Sequence, residues 1–306
     1  LGLPSQRDED WKYTSTRAIT RAAFTPAVAG APCPREFVSQ TAIDGLDAWR
    51  LVFADGFWQP ELSLLDDLPK GVQISGLGQS LGSEPERIAA LLGSALGQTP
   101  HGFIAMNSAF IGDGALIEIA PDTRVDKPIE LLFISGCSGE GFLSLPRNLV
   151  VMGAGSQATV IERHVSLADE RLLSNSVSEL ILADNASLNY QGVQQVAPRG
   201  FHVGGMFARL GRSARLQATT VTMSGALVRN DALVSLDDED GFASLDGLYL
   251  AFGRSHIDNH THITHNAPHC VSREHYKGVL GDRGHAVFHG RIVVQPGAQK
   301  TDSVQN

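Results

Sequence analysis

Apolar residues follow a helical spacing in the first third of the chain, which otherwise mixes helical and irregular signals. Residues 83–86, Ser-Glu-Pro-Glu, have the pattern of a capping box with proline at the first helical turn. Apolar residues then recur every three to four positions, which predicts an amphipathic helix over 85–97. Two short strands are predicted at 49–53 and 61–64, around an Asp55-Gly56 turn.

From about residue 110 the helical spacing gives way to a repeat of turn, alanine and alternating strand. The repeated alanines are Ala115, Ala158, Ala186, Ala214, Ala243 and Ala286. Their spacings of 43, 28, 28, 29 and 43 residues are multiples of a unit of about 14 residues. This period predicts a mainly β protein, a right-handed parallel β-helix (a solenoid) in which each small alanine lies at a tight corner. The predicted division is an N-terminal α/β region over 1–105 and a β-helix core over 106–306.

A β-sandwich is the competing all-β interpretation, because the strands of a sandwich also recur at a short, regular spacing of about 8–12 residues. A sandwich does not predict a nearly fixed spacing of one alanine motif. The repeat therefore favours the solenoid, in which one face of each strand fills the interior and the other is solvated or meets a partner.

Composition and charge exclude several classes of function. The chain has 306 residues, 42% of them hydrophobic, and a net charge of −9 without a basic stripe, so we expect no nucleic-acid partner. No apolar run reaches about 18 residues, so we expect no membrane span. The three cysteines, Cys33, Cys137 and Cys270, form no framework, which is typical of a reducing cytoplasm.

Histidines are concentrated near the end of the sequence, where eight of the eleven lie between His256 and His289. In a strand, alternation would place the even-numbered residues 256–262 on one face, and Ile257, Ile263 and His265 on the other. Imidazoles two residues apart can share a metal ion, so the candidate ligands are His260, His262 and His265. The alternative is a solvated outer strand face without a metal.

Other candidate chemistry is weaker. The acidic run 237–240 before Gly241 lacks the alternating ligands of a calcium loop and is typical of a solvated turn. A carbohydrate-active β-helix enzyme would need paired carboxylates on one solenoid face, which this run in a turn does not provide. Cys270 is interpreted as a small buried residue rather than a nucleophile.

Several segments together resemble the SufB/SufD family of iron–sulfur cluster assembly proteins. The opening carries an acidic residue followed by Trp11-Lys12-Tyr13-Thr14, which is similar to the SufD branch. The segments 148–156, 272–280, 286–294 and 298–306 are similar to β-helix coils of the family. The likeness runs from one end of the chain to the other.

The resemblance implies a non-catalytic scaffold that pairs with a SufB-like subunit and binds a SufC-like ATPase. It implies no intrinsic cofactor, since the iron–sulfur cluster forms transiently in the complex. We expect this chain to lack the family's C-terminal helical domain, which docks the ATPase, and we expect that an open last coil would also permit a homodimer. The alternative function is a cytoplasmic β-helix metalloprotein or enzyme that uses the 256–269 histidines. The residues expected at the SufB-facing end are Lys300, Thr301, Asp302, Gln305 and Asn306.

Overall fold

Helices precede the solenoid. A computed structural model describes residues 2–97, 101–167 and 169–306, and in these residues α-helices occur only before residue 110. The helices are α1 (Arg17–Thr20), α2 (Arg35–Gln40), α3 (Leu77–Ser83), α4 (Pro85–Leu91) and α5 (Gly102–Ala109), with 3-10 turns at Glu9–Trp11 and Pro60–Leu62. No helix of the described residues has the length and apolarity needed to cross a membrane.

The predicted helix over 85–97 is correct at its start and wrong at its end. Leu92 is extended and Gly93 has a φ of +83°, a left-handed conformation that glycine adopts readily and that ends the helix at Leu91. The predicted capping box is also wrong. Ser83 is the last residue of α3, and no side chain caps α4.

Strands make up most of the described residues after 110. In chain order they are β1 (Thr25–Pro26), β2 (Trp49–Ala54), β3 (Phe57–Trp58), β4 (Val72–Gly76), β5 (Ala115–Ile119), β6 (Ile129–Ser135), β7 (Phe142–Ser144), β8 (Arg147–Met152), β9 (Gln157–Ser166), β10 (Leu173–Ser174), β11 (Val177–Leu182), β12 (Ser187–Gln195), β13 (Phe201–Leu210), β14 (Arg215–Ser224), β15 (Leu227–Leu236), β16 (Phe242–Ala251), β17 (His256–His265), β18 (Val271–Leu280), β19 (His285–Val294) and β20 (Asp302–Gln305).

A tight hairpin joins β2 to β3. Asp55 and Gly56 have φ angles of 48° and 94°, as a two-residue turn of the primed type requires, so the predicted turn is confirmed. The strand predicted at 61–64 is wrong. Pro60, with its fixed φ, begins a 3-10 turn there, and Leu64 makes only an isolated bridge to Arg50 among the described residues.

From β5 onward the chain passes back and forth between two parallel sheets, which confirms a β-solenoid of about 7 turns. Sheet 1 stacks β5, β8, β11, β13, β15, β17 and β19, and sheet 2 stacks β2, β6, β9, β12, β14, β16, β18 and β20. Phe201 pairs with Leu227 and Leu116 with Leu149, so from β5 onward one turn takes 26 to 33 residues. Antiparallel strands cover the first turns, with β3 against β2 and β4 against β5.

A left-handed residue marks the corner between each sheet 1 strand and the sheet 2 strand that follows. These corner residues, with φ of 53° to 70°, are Asp122, Gly155, Asn185, Ser213, Asp240, His269 and Lys300. Their N–H groups link the corners of neighbouring turns by hydrogen bonds. Asn185, for example, donates to the Arg212 carbonyl of the next turn. The residue after each corner must be small where the turns pack tightly.

The alanine repeat is only partly the corner that we predicted. Ala186 and Ala214 follow corner residues and are fully buried, as expected. Ala115, Ala158, Ala243 and Ala286 lie inside strands, so the spacings of 43 residues combine two different positions of the coil. Cys270 follows the corner residue His269 and is fully buried, as predicted, and burial raises the pKa of its thiol.

The N-terminal region packs along the outer face of sheet 1. Leu77 and Ile88 of α3 and α4 lie on Leu116 and Leu149, and Ile104 of α5 lies on β11 and β13. Strands covered on both faces are buried along nearly their whole length, as β8 is. The predicted division at residue 105 falls within α5, and β2 and β4 already belong to the two sheets.

Candidate functional site

The outer face of β17 carries the histidines that the sequence singles out. The even-numbered residues from His256 to His262 face outward, and Ile257, Ile263 and His265 are fully buried in the interior, as alternation predicts. This outer face is not a solvated one. The N-terminal residues 8–14 lie across it, and the Thr14 hydroxyl contacts both His256 Nε2 and the Asp258 carboxylate.

A buried arginine anchors this N-terminal segment. The Arg229 guanidinium lies 4.4 Å from the Trp11 ring centroid and donates to the Asp10 carbonyl at 2.8 Å. Two carboxylates neutralise it, because Nη2 lies 2.7 Å from Asp231 Oδ1 and Nη1 lies 2.7 Å from Asp258 Oδ2. Burial by itself would raise the pKa of Asp231, but the Arg229 charge holds that pKa well below its usual range. The segment is thus fixed by a buried ion network in which Arg229 meets two carboxylates.

A cleft of about 600 Å³ opens between the N-terminal segment and the outer face of sheet 1. Its walls combine the segment, the start of α5 and the outward residues of the last sheet 1 strands. The polar residues that line it include Asp10, His101, Asp231, His260, His289 and Arg291.

The structure does not bring the three predicted metal ligands together. His260 and His262 line the cleft, but His265 lies on the opposite face of β17, with Nε2 2.9 Å from Ser272 Oγ. Residues five apart on a strand point to opposite sides, so these three side chains cannot bind one ion. Burial lowers the pKa of His262, and the positive charge of Arg291 lowers it further.

Parallel pairing of β17 with β19 instead brings histidines of neighbouring turns together. His256 stacks on His285, with ring planes 10° apart and Nδ1 atoms 3.0 Å apart. His260 meets His289 edge to face at 67°, with Nδ1 atoms 3.4 Å apart. Among the described residues, Asp10 joins the second pair, and one ligand atom from each of the three residues lies within 4.8 Å of the others.

A second polar site lies inside the solenoid and was not predicted from the sequence. The Glu162 carboxylate accepts hydrogen bonds from Ser178 at 2.5 Å and Tyr190 at 2.7 Å, and lies 2.8 Å from His164 Nε2. Burial alone would raise its pKa, but these partners together hold the pKa of Glu162 at about 2. The sequence did contain a sign of this site. Strand alternation places Glu162 and His164 on the same inward face of β9 as Val160.

The expected partner-facing residues lie at the open end of the solenoid. Lys300 is the exposed last corner, and Asp302, Gln305 and Asn306 are exposed on or directly after β20. Thr301 between them is half-buried. The structure thus places all five expected residues in one terminal strand and its corner, and their role in an interface stays a prediction.

Together, the fold and its surfaces define a class: a β-solenoid protein with an N-terminal segment anchored on its side. A family model described as "SUF system FeS cluster assembly, SufBD core domain" matches residues 134–306, and one described as "SufBD protein N-terminal region" matches residues 1–131. The chain belongs to the SufBD family of iron–sulfur cluster assembly proteins.

Named relatives agree with this family. An iron–sulfur cluster assembly SufBD family protein of Synechocystis is 28% identical over 322 residues, which cover 100% of this chain and 69% of that protein. The iron–sulfur cluster assembly protein SufD of Escherichia coli is 28% identical over 305 residues, covering 98% and 68%. A SufBD family protein of Mycobacterium tuberculosis is 29% identical over 210 residues, covering 66% and 50%. Membership and these relatives support a role in iron–sulfur cluster assembly.

Proposed function

We propose that this chain is a non-catalytic scaffold subunit of iron–sulfur cluster assembly, which pairs through its last turn with a SufB-like β-solenoid. A SufC-like ATPase is the proposed third member of the complex, and no residue of this chain is assigned to its contact. The nascent cluster is cargo of the assembled complex rather than a resident cofactor of this subunit. The observation that carries the proposal is the match of both SufBD family models along the chain, and the strand edge of the last turn is the surface that we assign to the partner.

This edge is long and partly apolar. Among the described strands, β19 pairs only with β17, and β20 pairs only with β18, so one side of each has unpaired backbone groups. Val279, Leu280, Val294 and Val304 are exposed around it. Unpaired edges of this kind tend to recruit another strand, and a homologous solenoid offers edges of matching geometry.

The backbone of β20 shows which groups would meet the partner. Asp302 donates its N–H group to the carbonyl of Cys270, directly before β18, and Asn306 donates to the carbonyl of Glu274 in β18. Since alternate residues of a parallel strand bond to opposite sides, Ser303 and Gln305 direct their N–H groups to the open side. Removal of one of these N–H groups therefore affects a partner strand without breaking the bonds to β18.

The test is coexpression of this protein with the SufB-like and SufC-like proteins of the same organism, followed by size-exclusion chromatography with light scattering. We expect a complex that contains all three proteins. The substitution Ser303→Pro removes an open-side N–H and should abolish pairing with the SufB-like subunit, whereas Ser303→Ala should retain it. Circular dichroism checks that both variants are folded.

Two outcomes would contradict the proposal. Elution of this chain alone, while the other two proteins associate, would remove the scaffold role. A homodimer that excludes the SufB-like protein would show that the edge pairs with a second copy of this chain instead.

We also propose a cytoplasmic location, which the free thiols of Cys33, Cys137 and Cys270 support.

A further inference from the structure

Asp10, His260 and His289 converge at the mouth of the cleft from three separate elements. β17 and β19 supply the histidines at paired positions, and the 3-10 turn at Glu9–Trp11 supplies the carboxylate. The Arg229 anchor holds this turn in place through the Asp10 carbonyl and the Trp11 ring. The three side chains are therefore brought together by the tertiary fold.

The spacing of the two imidazoles fits shared coordination better than a hydrogen bond between them. Nitrogen ligands about 2.0–2.1 Å from a tetrahedral zinc ion lie about 3.3 Å from each other. The Nδ1 atoms of His260 and His289 are 3.4 Å apart, which is longer than an ordinary N–H···N hydrogen bond. Their ring planes meet at 67°, so the planes that contain the two Nδ1 lone pairs cross rather than run parallel.

The neighbouring pair, His256 and His285, shows what a metal-free contact looks like on the same strands. Its Nδ1 atoms are 3.0 Å apart, a normal hydrogen-bond distance. Its rings are stacked at 10°, so the two in-plane lone pairs run side by side rather than toward one point. Among the described residues, no carboxylate or thiol completes a group of three ligands with this pair.

A buried carboxylate lies behind His260, as it does behind many metal-ligating histidines. Nε2 of His260 lies 3.0 Å from Asp258 Oδ1, an ion-pair contact whose oxygen has no aligned hydrogen bond in the described residues. Arg229 and Thr14 hold the other oxygen of Asp258. A proton on Nε2 leaves Nδ1 free to coordinate, and the carboxylate orients the ring.

We propose that Asp10, His260 and His289 bind one divalent first-row transition-metal ion, with its open coordination positions facing the cleft. Two imidazoles and one carboxylate are a ligand set that suits Zn²⁺ and Fe²⁺. The acidic residues Asp8 and Glu9 also line the cleft and offset the positive charge of Arg291. The site rests on these side chains alone and does not depend on the proposed scaffold function.

A bound ion would fasten the N-terminal segment to the last two outer strands. The first test titrates Co²⁺ into the purified full chain, free of any histidine tag, and follows the visible absorbance and its displacement by Zn²⁺. We expect one Co²⁺ per chain. His289→Ala and Asp10→Asn should each weaken Co²⁺ binding by at least about tenfold to a hundredfold. Loss of a partner in the outer shell of a metal site already costs that much. The matched control His285→Ala removes an equally exposed histidine of β19 and should leave binding unchanged.

The second test measures whether a bound ion holds the N-terminal segment against the outer strands. Trypsin can cut the N-terminal segment after the exposed residues Arg7 and Lys12. Zn²⁺ should slow this cleavage in the parent chain and in His285→Ala, but not in His289→Ala. Equal loss of Co²⁺ affinity in His285→Ala and His289→Ala would overturn the proposal, because the ion would then bind any surface imidazole. Unchanged affinity in Asp10→Asn would overturn it as well.

Discussion

The first and last turns of the solenoid share one backbone ladder but differ in what covers them. In the first turn, all seven residues of β6 are buried between the interior and a cover that includes α2, where Val38 packs near Leu132. In the last turn, no residue of β19 is fully buried. Val294 and Val304 are 46% and 37% exposed. The same parallel strand geometry thus gives a closed core at one end and an accessible edge at the other.

The difference extends into the interior. Around the first turn, formed by β2, β5 and β6, the inward side chains are apolar, such as Leu51, Ile117 and Ile129. Around the last turns they include Thr261 and Glu274, whose side-chain oxygens have no aligned hydrogen-bond partner among the described residues. Buried polar groups without partners reduce stability. The last turns of the described chain therefore contribute less to folding than the first turn.

The largest expected effect comes from one substitution made at both ends. Ile129→Ala in β6 removes a fully buried side chain and should lower the free energy of unfolding by about 2 to 5 kcal/mol. Ile292→Ala in β19 removes the same atoms from a half-buried site and should lower it by about 1 kcal/mol or less. Urea unfolding followed by circular dichroism measures both. Equal losses would show that the two ends are equally well packed in solution.

A smaller effect is expected at the Glu162 network. Glu162→Gln replaces a carboxylate that Ser178 and Tyr190 stabilise and should lower the free energy of unfolding by about 2 kcal/mol at pH 7. The folded-state pKa of about 2 lies below the ordinary value of 4.5. The stabilisation is therefore present above about pH 4.5 and lost as the pH falls toward about 2.

The matched measurement is the difference in stability between the parent and Glu162→Gln at several pH values. This difference should shrink as the solution is acidified through that window. A difference that stays constant from pH 7 to pH 3 would mean that the charge of Glu162 does not contribute. Tyr190→Phe, which removes one donor to the carboxylate, should lose a part of the same pH-dependent stability.

Much of the solenoid could be predicted from the sequence, because short alternating strands at a regular spacing are a local signal. The exact corner was not predictable in the same way. Its left-handed residue is Asp, Gly, Asn, Ser, His or Lys in different turns, so no single residue type marks it. Of the six repeated alanines, only Ala186 and Ala214 follow such a corner residue. The prediction that every repeated alanine lies at a corner is therefore wrong for the other four.

The candidate site was predictable only as far as one strand. Alternation correctly placed the outward histidines of β17, but it could not show that His260 lies beside His289, which depends on a register of 29 residues between turns. The position of Asp10 beside these histidines was still less predictable, since Asp10 belongs to the opposite end of the sequence. His265 was grouped with His260 because of its closeness in sequence, and strand geometry separates the two.

The smallest effect is expected at Glu274 in β18, the counterpart of Glu162 near the open end. Its side chain faces the interior, it is almost fully buried, and neither carboxylate oxygen has an aligned hydrogen-bond partner in the described residues. Burial raises the pKa of Glu274 above its ordinary value, the opposite direction from Glu162. Two glutamates inside one solenoid should therefore respond to pH with opposite signs.

Because the folded state holds the Glu274 proton more tightly, stability should fall as the pH rises from the ordinary pKa of a glutamate through the raised pKa of Glu274. Glu274→Gln removes the unpaired charge and should raise the free energy of unfolding by about 1 kcal/mol at pH 7.5. The gain should vanish at pH 4, where the parent carboxyl is already protonated, and urea unfolding at both pH values tests it. A variant that is less stable than the parent at pH 7.5 would show that the carboxylate has a partner in solution, and that the open end is better satisfied than its edge strands indicate.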